Sequence, residues 1–134
     1  MDIVLTIPKR RYETHDRILR DIVDIEGSYL SWAMNATPKR LRTGNRVHFV
    51  KHGRIEHSFR VFDIQHAHGR LPATSVMNMT TGEAFQGKCI LHMDDLQWCE
   101  EIIAVNGFQG FRYKWWHTGG DRIYTTKRKV GKHG

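Results

Sequence analysis

The chain has 134 residues, 40% hydrophobic and 26% charged, the proportions of a globular domain with a single core. No apolar run approaches the ~20 residues of a membrane span, which argues against a membrane partner. The net charge of +7 points toward polyanions, but Lys127, Arg128, Lys129 and Lys132 supply four of those charges at the far end, so the body is only mildly basic.

A single domain over 1–124 and a basic, flexible tail over 125–134 are expected. The opening MDIVLTIPKRR has its apolar stretch before its charges and is too short for a signal peptide, so it reads as a first strand in a cytoplasmic protein. Cys89 and Cys99 form no CxxC pair, predicting neither a disulfide framework nor a zinc knuckle.

In chain order, Asp2–Ile7 is β-branched and stops at Pro8. From Thr14 as the expected N-cap, His15, Ile18, Leu19, Ile22 and Val23 mark helical rows, and Gly27 is the expected stop. Ile18, Leu19, Ile22 and Ile25 form its apolar stripe, while Asp24 and Glu26 in the last turn oppose the macrodipole. After Gly44 the period changes to two: Arg46–Lys51 and Arg54–Ile64 read as a hairpin turning at His52-Gly53. Ile55, His57, Phe59 and Val61 share one face, then Phe62 and Ile64 take the apolar role in the opposite phase, which predicts a bulge or corner. Further on, Gly69–Thr74 reads as a loop, Ser75–Thr80 as a weak strand, Thr81-Gly82 as a turn and Lys88–Met93 as a strand. Asp94–Glu100 fits a loop or a short helix, Glu101–Val105 a strand, and Phe111–Trp116 a last aromatic strand. Five to seven short strands with one helix predict an α+β fold, a small, mostly antiparallel β-barrel with one main flanking helix.

A tryptophan read as lying in a loop (Trp32), the basic segment Pro38-Lys39-Arg40-Leu41-Arg42, the turn and strand Gly44-Asn45-Arg46-Val47-His48-Phe49-Val50, and the return from Gly53-Arg54-Ile55 resemble the PUA-like superfamily. Its ASCH and EVE branches are the nearest in pattern, over about a quarter of the chain. The resemblance implies a small barrel with a cleft for RNA or a modified base, with Trp32 where the EVE branch has an aromatic lining its pocket. The chain departs from that branch in having Ile3-Val4-Leu5 in place of an early Trp-containing strand. Similarity to ASCH-like amidohydrolases implies a lysine and a threonine near the cleft, for which Lys39 and Thr37 stand.

Aromatics give bases a stacking surface and arginines give phosphates forked donors. Lys39, Arg40 and Arg42 beside Trp32 form one such group, Arg112, Lys114 and Trp116 on one strand face a second, and Lys127, Arg128 and Lys129 a third in the tail. The expected partner is nucleic acid, RNA before DNA, in a groove between the first two groups, with Phe108–Trp116 as a second wall. Core packing competes with that role for each aromatic taken singly. Nine histidines include His66-x-His68, yet no motif with metal-ligand spacing accompanies them, so neither a metal nor a cofactor is expected. Asp94-Asp95 and Glu100-Glu101 read as solvated turn residues, and Cys89 as a core residue. Two other functions compete with binding: a small hydrolase using Lys39 and Glu56, and a factor of a phage or mobile element that occupies a host protein through its aromatic patch.

Overall fold

The computed structural model describes residues 1–66 and 87–116, together with the backbone of 124–125. The expected elements over Gly69–Gly82 and the basic tail residues Lys127, Arg128 and Lys129 lie outside the described residues.

The chain forms β1 (Ile3–Thr6), a 3-10 turn (Lys9–Arg11), α1 (Tyr12–Asp24), β2 (Leu30–Met34), β3 (Arg46–Lys51), β4 (Arg54–His66), β5 (Cys89–Cys99), β6 (Phe111–Tyr113) and β7 (Tyr124–Thr125). The strands make one curled sheet in the order β2-β5-β4-β3-β1-β6, with β7 paired to the far end of β5. Only β1 and β3 run parallel. The α+β class therefore holds, but the barrel is not closed. β2 and β6 end the path and do not pair with each other among the described residues, so the sheet is a half-barrel with a seam.

Two apolar clusters fill its two sides. Ile3, Leu5, Val47, Phe49, Phe59, Leu91, Met93 and Trp98 pack in the larger, beneath Leu19 and the partly buried Tyr12, Ile18 and Ile22 of α1. Val4, Val50, Ile55, Cys99 and Val105 form the smaller. The helix begins two residues before Thr14 and ends at Asp24, leaving Ile25 55% exposed, so the stripe stops one turn short of its expected length.

The hairpin turns as expected. His52 (φ 55°) and Gly53 (φ 73°) are both left-handed, the requirement of a two-residue type I′ turn, and Lys51 pairs with Arg54 across it. The phase change after Val61 is a bulge: Val61 pairs with Met93 and Asp63 with His92, leaving Phe62 as the extra residue. A second bulge has no such signal. Phe49 pairs with His57 but Val50 with Ile55, so Glu56 is extra, and Ile55 moves to the smaller cluster, away from His57 and Phe59.

Three other elements differ from expectation. Trp32 lies in strand β2, paired to Leu91, and not in a loop. Asp94–Cys99 continues β5 through a third irregularity, where Asp95 takes φ 55° and Arg46 bonds its carboxylate at 3.0 Å. Arg46 Nε also donates to Ser58 Oγ at 2.8 Å, so one guanidinium ties three strands together. Glu101–Val105 is no strand but docks on the hairpin through Ile55 N–H to Ile103 O and Val105 N–H to Gly53 O.

Phe49 is fully buried with ring contacts to His15, Trp32, His57 and Phe59. Phe49→Ala is expected to cost about 3–5 kcal/mol of stability, read as a lower denaturant midpoint at unchanged slope.

Candidate functional site

The seam of the half-barrel is a cleft of about 800 Å³. One wall is β2 and the chain to Ala36, a second is the segment Phe108–Phe111, and the third is the 3-10 turn with the start of α1. Arg10, Arg11, Thr14, His15, Trp32, Phe108 and Phe111 all line it.

Local chemistry explains each wall. Pro8 ends β1 in an extended conformation and turns the chain into the 3-10 segment, which delivers Arg10 and Arg11 to the mouth. No side chain caps α1; the 3-10 turn leads straight into it, with Arg11 N–H bonded to Pro8 O and Tyr12 N–H to Lys9 O, and sets two arginines at the helix start. Arg11 and His15 are four apart and share a helix face. The opposite wall is anchored by Phe108 N–H donating to Thr6 Oγ1 at 3.2 Å, and Gly110 (φ 73°) makes the sharp turn into β6.

At the floor, His15 is 3% exposed and shares a hydrogen bond between its Nε2 and His57 Nε2 at 3.0 Å. His57 Nδ1 bonds Glu56 Oε1 at 3.1 Å. Neighbouring residues of a regular strand point to opposite faces, and the bulge at Glu56 lets its carboxylate reach the ring of the next residue. Glu56 also lines a shallow depression on the other side, with Arg54, Cys99 and Glu101. A chain of three titratable groups thus runs from the cleft through the sheet.

Their environments are asymmetric. Burial alone would raise the Glu56 carboxyl, but the hydrogen bond and charge of His57, helped by Lys51 and His15, hold it down at about 2. His15 is pushed well below the ordinary histidine value by burial and by His57, against the pull of Glu56. Burial also lowers His48, against its bond to Asp2, and His92, against Asp63.

Of the residues expected to bind, Trp32 lines the cleft, with a T-shaped contact to His15 at 5.9 Å. The Lys39–Arg42 loop is folded on itself and does not line it. Arg42 Nη1 donates to Lys39 O at 2.6 Å, and Arg40 donates its N–H to the Tyr113 hydroxyl at 2.9 Å with its guanidinium over that ring. Arg112, Lys114 and Trp116 do not form the facing wall either. Strand alternation puts Phe111 and Tyr113 on the larger cluster and Trp116 on the smaller, where it meets His48 at 5.0 Å. Lys114 lies over the Trp116 ring at 5.3 Å, and Arg112 stacks on Phe108 at 4.4 Å, one layer behind the cleft.

Thr37 bonds Cys89, whose thiol burial pushes up, and Glu56 is engaged by His57. Of the carboxylates read as solvated turn residues, Asp95 pairs with Arg46 and Asp94 with Arg60. Among the described residues no group of three or more His, Cys, Asp or Glu side chains is placed to hold a metal.

Sequence reasoning passed over Arg10, Arg11 and His15 as site residues. The available signal was a pair of histidines each on an apolar face, His15 on the helix stripe and His57 between Ile55 and Phe59, since such buried rings need polar partners. Comparisons with protein-family models, with curated proteins and with solved structures return no match.

The buried histidines set a pH dependence. Unfolded histidine protonates near 6.5, whereas buried His15, His48 and His92 resist it, so the unfolded state binds more protons below that pH. Their contribution is complete well above 6.5 and is lost progressively as pH falls through and below 6.5. Glu56 adds a second loss as pH falls from 4.5 toward about 2. Thermal melts should therefore show a level Tm from pH 8 to 7 and a decline below 6.5, with a shallower decline in His15→Phe.

Proposed function

We propose that the protein is a PUA-like nucleic-acid-binding module that holds a single strand, RNA before DNA, in the seam of its half-barrel. The observation that carries this reading is one cleft combining Arg10 and Arg11 with the aromatic rings of Trp32, Phe108 and Phe111. Phosphates find forked arginine donors at the mouth, and bases find stacking surfaces within. A single strand is favoured over a duplex, because α1 contributes only its first turns to the cleft. The Lys39–Arg42 loop and the 125–134 tail supply more distant phosphate contacts.

Binding of a labelled single-stranded octamer should quench tryptophan fluorescence and weaken steeply with salt. Arg10→Ala and Arg11→Ala should each reduce the salt slope by about one, and Trp32→Ala should cost about 1–3 kcal/mol of binding. Affinity that ignores salt, together with an unchanged Trp32→Ala, would sink the proposal.

A further inference from the structure

We infer that His15 Nδ1 is a ribose subsite, bonding the 2′-hydroxyl of an RNA strand held in the cleft. The inference rests on the reading of the seam as a nucleic-acid site and adds the group that separates RNA from DNA. His15 lines the cleft yet is almost wholly buried, and its Nε2 is taken by His57, which is in turn bonded to Glu56. Its Nδ1 is therefore the nitrogen of this chain left for a ligand. That nitrogen is not sealed from solvent, so a strand that covers the cleft must replace the hydrogen bond that solvent gives it.

The relay admits two proton arrangements. In one, His57 Nδ1–H donates to Glu56, His15 Nε2–H donates to His57 Nε2, and His15 Nδ1 is a bare acceptor. In the other, which holds one proton more and makes His57 a cation, His57 donates from both nitrogens, His15 Nε2 accepts, and His15 Nδ1–H is a donor. A hydroxyl satisfies Nδ1 in either case, because it both donates and accepts. A phosphate oxygen fits only the second and an exocyclic base amino group only the first. The surroundings agree: Arg11, one helical turn earlier on the same face, is placed for a phosphate roughly 5–6 Å away along the helix. Trp32, in edge contact with His15, offers a stacking surface beside the same floor. A deoxyribose would leave Nδ1 buried and unpaired.

The test compares Kd of the full chain, by fluorescence anisotropy, for an RNA octamer, a DNA octamer of the same base sequence with deoxyuridine for thymidine, and the 2′-O-methyl RNA. RNA should bind on the order of 10-fold more tightly than DNA, the consequence of leaving one buried polar atom unpaired. The 2′-O-methyl strand, which loses the donor and adds bulk at the floor, should bind no better than DNA. His15→Phe should bring RNA down to the affinity of DNA, and if that variant does not fold, the ligand series on the natural protein still decides. Equal affinity for RNA and DNA, or a preference that survives in folded His15→Phe, overturns the 2′-hydroxyl subsite while leaving the binding function standing. Failure to bind either strand overturns the binding function itself.

Discussion

The hydrogen bond between His15 and His57 joins the α-helix to the sheet at the one place where both bury a polar group. Around it are Phe49, stacked on His57 at 5.2 Å, and Trp32, edge-on to His15. In that apolar setting either imidazole alone would lose its hydration without compensation, so the two rings hold each other in register. A few further contacts reinforce the alignment at the hairpin end: Lys51 Nζ donates to Asp16 at 2.7 Å, and His52 N–H to the Tyr12 hydroxyl at 3.2 Å. The helix is thus pinned by polar bonds from Tyr12, His15 and Asp16 and by the packing of Leu19 on the same face.

A helix held in this position accounts for the seam. β6 has three residues and, among the described residues, β2 is paired along one edge only, so the two ends of the sheet do not join. Exposed strand edges invite pairing with other chains unless something covers them. Here the start of α1 and the 106–110 loop flank the gap without filling it, and the result is a concave site rather than a closed barrel. The open edge, the uncapped helix start and the aromatic rings have separate local causes: a short strand, Pro8 followed by a 3-10 turn, and alternation along β2 and β6. Their convergence makes the seam the natural ligand site.

What was legible in the sequence follows the same division. β1, the helix stripe, the His52-Gly53 turn and the bulge at Phe62 announce themselves through local chemistry: β-branched runs, a 3.6-residue period, two left-handed positions and a phase flip. The bulge at Glu56 does not, because Ile55-Glu56-His57 alternates perfectly on paper, and only pairing with β3 decides that Ile55 and His57 part. The extension of β5 through Asp94-Asp95 was hidden for a similar reason. Two adjacent acids read as a turn, whereas Arg46 and Arg60 on neighbouring strands neutralise them. For the site, Trp32 was readable as a prominent aromatic, but its partners were not, since charge density drew attention to Lys39–Arg42 and Arg112–Lys114, where guanidinium and ammonium groups are spent on carbonyls and rings.

That misdirection separates two roles that net charge blends. Charge such as that of the Lys39–Arg42 loop acts on a polyanion at a distance and raises encounter rate and affinity without regard to sequence or sugar. Discrimination requires desolvated groups with fixed geometry, and the seam has them in His15 and its relay. The bulge at Glu56 is the hinge between the two roles. By turning one carboxylate onto the adjacent imidazole it fixes a buried ring at the cleft floor, the desolvated group of fixed geometry that the proposed discrimination requires.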